Sequence, residues 1–153
     1  MRPGCSKVVT LWNSVIASLS GRQFTKCHLD VGMGDALIQP TEILEARDWL
    51  GFAGIAPVAC IAISKEQQLA EKLHAYTLNR EHGVNNRVKD LVDMALLVNC
   101  GAMDWQKVER SIHTTFNLRR THEIPESLPE PPNSWEVPYR AMAEECGLNL
   151  NLD

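Results

Sequence analysis

Apolar and polar positions alternate in different rhythms along the chain, and the rhythm changes once, near residue 64. Before it, Phe24–Val31 (FTKCHLDV) alternates with a period near two, which predicts a strand. It runs into Gly32-Met33-Gly34-Asp35, a turn signal. Lys7–Leu19 fits either a short helix or an irregular strand, ended by Gly21. Thr41–Leu50 reads as a strand and turn, and Gly51–Gly54 as a loop or hairpin end. Val58–Ile63 (VACIAI) is a short apolar run between Pro57 and Ser64, which predicts a buried strand.

After residue 64 the period is helical. Ser64 and Gln67 have capping-box spacing and start a helix from Lys65 to about Asn79. Leu69, Leu73 and Tyr76 fall on one face of it, with Lys72 beside that face. Gly83 and two asparagines end the segment. A second helix runs from near Asn86 to Asn99–Gly101, with Val88, Leu91, Val92, Ala95 and Leu96 as its apolar stripe and Gly101 as a C-terminal glycine. Asp104 caps a third, from Trp105 to about Leu118, carrying Val108, Ile112 and Phe116. Glu123–Pro138 holds five prolines, so it should run extended as a strap anchored by Trp135. Val137 to about Cys146 reads as a last helix ended by Gly147, with Leu148–Asp153 as a frayed tail.

A length of 153 residues suits one core. The net charge of −4 gives no overall attraction to nucleic acid or anionic lipid, so any such contact needs a local basic face. The five cysteines are scattered without CxxC spacing, which argues against a zinc ribbon, a redox pair or a disulfide scaffold. Asn13, Ser14 and Ser18 interrupt Val8–Leu19 as a signal segment, and no run reaches the length of a membrane span. The expectation is a cytoplasmic protein with no membrane contact.

Ionisable groups are densest in Ala70–Asp93. Asp90 and Asp93, three apart, share a helix flank, and Lys89 and Arg87 stand within pairing distance of them. One reading is a solvated face of weak ion pairs. The other is a site. A lysine is a compact charge for a triphosphate, an arginine forks onto phosphate, and an aspartate holds a divalent metal or takes a proton. Asp30, late in its strand before a glycine turn, is either a rigidly placed metal ligand or base, or a turn residue, with Asp35 a loop acid. His74 is expected at the helix surface or the core edge. Arg119-Arg120-Thr121-His122 is a small basic patch, either solvated or facing phosphate. No HExxH, GxSxG, GxGxxG or Walker-type loop occurs.

Four pieces together resemble the AbiEii/AbiGii-type nucleotidyltransferase toxin family. They are GRQFTKCHLDVGMGD (Gly21–Asp35), LGFAGIAPV (Leu50–Val58), SKEQQLAEKLHAYT (Ser64–Thr77) and NNRVKDLVDMALL (Asn85–Leu97). Thr114–Trp135 is similar to the family's tail. The order AEKLHA then NRVKDLVD is the specific part.

The resemblance implies an α+β chain: an incomplete nucleotidyltransferase-like sheet portion (1–63) followed by a mainly α-helical domain (64–153) with the strap at 123–138. It implies transfer of a nucleotide from a nucleoside triphosphate to an acceptor such as tRNA, with Mg²⁺, and neutralisation by an antitoxin. Lys72 matches the lysine implied to bind triphosphate, Asp90 the aspartate implied in catalysis, and Asp30 a third core carboxylate and metal ligand. Arg87, also a candidate for nucleotide binding, and Asp93 match further motif positions.

The family's Gly-Ser turn and Asp-x-Asp strand do not occur in Met1–Phe24. The expectation is therefore a truncated chain, the C-terminal part of the family, whose exposed sheet edges invite self-association. The alternative is a non-catalytic binding module contacting RNA or an antitoxin through Arg80, Arg87, Lys89, Arg119 and Arg120.

Overall fold

The computed structural model describes residues 11–19, 21–31, 37–78, 87–99 and 101–148. The turn signals at Gly32–Asp35 and Gly83–Asn86 lie outside them, as does Lys7–Thr10. Strands come first and helices after, so the chain is α+β. It divides into two units, residues 1–37 and 38–153.

The first unit holds one antiparallel hairpin, β1 (Leu11–Leu19) and β2 (Arg22–Val31). Leu19 pairs with Arg22 and Leu11 with Val31, with a register shift at Ala17/Ser18. Gly21 sits at φ +76° in the turn, a left-handed conformation that a residue with a Cβ adopts only at a cost. The segment whose pattern fitted helix or strand is thus a strand, settled by the partner it finds in β2.

The second unit opens with another hairpin, β3 (Glu42–Glu45) and β4 (Ala59–Ala62). Between its strands a 3₁₀ turn at Gly51–Ala53 closes on Gly54 in the left-handed region. The Val58–Ile63 run is a strand as expected, but it is not buried. Ile61 is 78% exposed and its cross-strand partner Ile43 72%. A short apolar run reports strand preference, whereas burial needs a second layer over each face of the sheet. Among the described residues nothing layers over the Ile43–Ile61 face.

Four helices follow among the described residues. Helix α1 (Lys65–Thr77) starts where Ser64 Oγ accepts from the Gln67 N–H at 3.2 Å. The capping box is one-sided. The Gln67 side-chain oxygen, expected to reach back to Ser64, accepts from the Ile38 N–H at 3.0 Å instead. Helix α2 spans Val88–Asn99 and α3 Trp105–Arg119. Asp104 Oδ1 caps α3 by accepting from the N–H groups of Gln106 and Lys107. Helix α4 (Glu136–Glu145) begins inside the proline-rich segment. Pro138 occupies its first turn, where a missing N–H leaves no bond unmade.

The core lies between α1, α2 and α4. Tyr76, Val88, Val92, Met94, Trp135, Tyr139 and Ala143 are buried there, with Leu69, Leu73, Leu91, Ala95 and Leu96 packed on them. Trp135 anchors the strap as its sequence suggested: it is buried edge-to-face on Tyr76 at 5.9 Å, and Tyr76 donates to the Pro129 carbonyl at 2.7 Å. Leu148 is a correction. Expected in a frayed tail, it is buried in this core, because Gly147 turns left-handed and lets the Leu148 N–H reach the Ala143 carbonyl. No helix among the described residues is long and apolar enough to cross a membrane.

Candidate active site

Helix α1 lies against both α2 and α3, and each seam gathers ionisable side chains. At the α2 seam, the apolar stripe of α2 fixes the helix's rotation, and Asp90 and Asp93 then face Lys72. The Lys72 ammonium donates to Asp93 Oδ2 at 2.7 Å and to Asp90 Oδ1 at 3.0 Å. Arg87 Nη1, three residues before Asp90 on the same helix, donates to Asp90 Oδ2 at 3.1 Å. Both oxygens of Asp90 are therefore held by cations, and its side chain is only 7% exposed. Lys72 stays about one-third exposed.

Burial pushes the Lys72 ammonium toward deprotonation. The hydrogen bonds to Asp93 and Asp90, with the two carboxylate charges, outweigh it, and the net effect holds Lys72 above the ordinary lysine value. It is a cation at any physiological pH.

The backbone of Asp30 sits in β2 opposite Trp12, in the first unit, and its side chain is outside the described set, as are Asp35 and Arg80. Lys89 is exposed on α2. Arg119 at the end of α3 pairs with Glu71 of α1. Arg120 takes a left-handed turn at φ 48°, and its Nε donates to the Asn117 carbonyl at 3.1 Å. The solvated-face reading fails for Asp90, which is buried, and describes Lys89 well.

The α3 seam was not foreseen. His74, expected at the surface or core edge, is 2% exposed. Its Nε2 lies 2.8 Å from Thr121 Oγ1, Thr121 Oγ1 lies 2.9 Å from His122 Nδ1, and His122 Nε2 lies 2.8 Å from Thr77 Oγ1. Thr77 donates to the Leu73 carbonyl at 2.9 Å. That carbonyl only accepts, so Thr77 donates to it and His122 Nε2–H donates to Thr77. With a neutral His122 ring, Thr121 donates to His122 Nδ1 and His74 Nε2–H donates to Thr121. That leaves His74 Nδ1 an acceptor, buried without a hydrogen-bond partner among the described residues. Phe116 stands edge-on to both rings, at 4.9 and 5.0 Å. Burial, then the Arg119 guanidinium and the His122 ring beside it, lower the His74 pKa to about 4, so the His74 ring is neutral. One signal was present in the sequence. Ala70, His74 and Thr77 fall at i, i+4 and i+7, a second α1 face made of small and polar side chains.

The family model for the nucleotidyl transferase AbiEii toxin of type IV toxin–antitoxin systems matches residues 7–152. The chain belongs to the AbiEii family. Membership makes it a nucleotidyltransferase-like toxin at family level, of a class that acts on nucleotides and is paired with an antitoxin. No curated protein matches it.

Nucleotidyltransferases of such families use a divalent metal in general, and the donors at the α2 seam do not fit one. A hard dication takes several converging oxygens carrying net negative charge. Here Asp90 is occupied on both oxygens and Asp93 by Lys72, and among the described residues no three His, Cys, Asp or Glu converge.

Proposed function

We propose that the protein transfers a nucleotide from a nucleoside triphosphate to an acceptor such as tRNA, in the cytoplasm and with Mg²⁺. The acceptor hydroxyl oxygen bonds to the α-phosphorus, the bridging P–O bond to the β-phosphate breaks, and pyrophosphate leaves as the hydroxyl proton passes to a base. Lys72 meets the triphosphate, Arg87 supports nucleotide binding, and Asp90 belongs to the same constellation. Asp30 is the proposed Mg²⁺ ligand. The carrying observation is that Lys72 and Asp90, eighteen residues apart, meet at 3.0 Å in a chain of this family. An ammonium has three donors, so with two on carboxylates one remains for a phosphate oxygen.

The test is transfer of radiolabelled nucleotide to tRNA in the presence of Mg²⁺. Lys72→Ala and Asp90→Ala should each reduce labelling by about a hundredfold or more, the usual scale for a preorganised charge at a reacting centre. A folded protein that labels nothing would overturn the reading.

A second reading is favoured by the seam itself, where, among the described residues, protein cations already occupy both carboxylates. In it the chain binds RNA or an antitoxin through Lys89, Arg119, Arg120, Arg87 and Arg80 without catalysis. Labelling decides between the two. We also propose self-association through the β3–β4 hairpin, whose Ile43 and Ile61 are exposed. Sedimentation should then show a concentration-dependent dimer that Ile61→Lys abolishes.

A further inference from the structure

We infer that Asp93 is a positioning residue: together with Asp90 it clamps the Lys72 ammonium, and the carboxylates of α2 orient a lysine in place of binding a divalent ion. The inference rests on the nucleotidyl-transfer reading only for what the lysine is held toward.

The shortest bond at the seam is the one to Asp93, at 2.7 Å against 3.0 Å for Asp90. A lysine is a point charge on a four-carbon stem with several rotatable bonds, so one carboxylate fixes its distance and not its direction. Two carboxylates on one flank of α2 fix both. Asp90 and Asp93 are spaced to do this, three residues apart on a helix whose apolar stripe is locked in the core. Arg87 holds the second oxygen of Asp90, so that carboxylate cannot swing toward solvent without breaking a bond at 3.1 Å.

The charges decide what the cluster can attract. Among the described residues, Lys72 and Arg87 already neutralise the two carboxylates that a dication would need. A metal would have to expel Lys72 from both carboxylates and meet their desolvation. An anion needs only the third ammonium N–H.

The experiment uses the full chain with ¹⁵N-labelled lysine, observing side-chain ammonium signals by NMR. A clamped ammonium exchanges slowly with water, so Lys72, assigned with Lys72→Arg, should be resolved in the wild type. Asp93→Asn, close in shape, should broaden that signal away, and Asp93→Glu should recover part of it. Millimolar Mn²⁺ without nucleotide should leave the wild-type Lys72 signal sharp. In the transfer assay Asp93→Asn should raise KM for the triphosphate about tenfold, the scale of one charge-assisted bond, with a smaller change in kcat. Broadening of Lys72 by Mn²⁺, or an Asp93→Asn signal as sharp as wild type, would overturn the inference. The Mn²⁺ arm needs no variant and neither NMR arm needs activity. A protein that transfers nothing therefore sinks the proposed reaction while the clamp is still decided.

Discussion

Lys72 and His74 stand two residues apart on α1 and meet opposite treatments. Lys72 keeps its charge, and α2 supplies two carboxylates against it. His74 loses its charge, and α3 with the segment after it supplies a hydroxyl, a second imidazole and a phenyl ring. One seam is ionic and partly open to water, while the other is neutral around a nearly sealed ring. A helix caught between two partners can bury ionisable groups on both sides if each side uses a different remedy. Of these two α1 side chains, only Lys72 retains a charge that a phosphate can reach.

The largest test of this contrast is removal of the cation. Lys72→Met leaves buried Asp90 with Arg87 alone. It should lower stability by about 2–4 kcal/mol, as breaking one partner of a buried pair does, besides abolishing transfer. Urea unfolding at pH 7 measures it. A loss below about 1 kcal/mol would mean that water, not the carboxylates, carries the Lys72 charge.

The neutral seam should be exposed by acid. His74 takes a proton at about 4 in the folded protein, against an ordinary 6.5 once unfolded. As pH falls through 6.5 the unfolded chain binds that proton and the folded chain does not. The contribution of His74 is thus complete above 6.5 and is lost progressively toward 4, by up to about 3 kcal/mol. The readout is the difference in urea midpoint between wild type and His74→Gln from pH 7 to 4.5, which should narrow as pH falls. A constant difference would mean that His74 is as easily charged folded as unfolded.

Thr121→Val asks whether the hydrogen-bond chain matters beyond burial. It removes the hydroxyl that serves both imidazoles, and water can replace part of it because Thr121 is exposed. About 1 kcal/mol of stability should go at pH 7, measured by thermal or urea unfolding. No change would reduce the neutral seam to packing against Phe116.

The two seams were unequally legible in the sequence. Periodicity and caps locate β2 and α1 to α4, because apolar spacing and residues such as Ser64 and Asp104 act locally. Family resemblance singles out Lys72 and Asp90, but the share of Asp93 emerges only when α2 folds against α1, since Lys89 was an equally good partner by spacing. The neutral seam is fainter still. His74 meets Thr121 across 47 residues, and a polar face with no apolar stripe gives no amphipathic signal. Burial of Val58–Ile63 was misread because an apolar run states what a strand tolerates, not what covers it.

The smallest effect lies at an ion pair beside the neutral seam. Arg119 reaches from α3 to Glu71, on α1 between the positions of Lys72 and Ala70, and after burial its charge is the next cause holding His74 neutral. Arg119→Ala should cost only about 0.2–1 kcal/mol at pH 7, because the pair is partly solvated, and that cost should shrink in 0.5 M salt as the charges are screened. Its sharper signature lies in acid. Without that guanidinium the His74 imidazolium is less disfavoured, so its folded value moves up from about 4 toward 6.5 and the acid-linked loss of stability becomes shallower. The variant should therefore be slightly weaker than wild type at pH 7 and approach it near pH 4.5, both read from urea midpoints. If the two curves stay parallel, Arg119 has no part in keeping His74 neutral, and the neutral seam owes nothing to the ionic pair beside it.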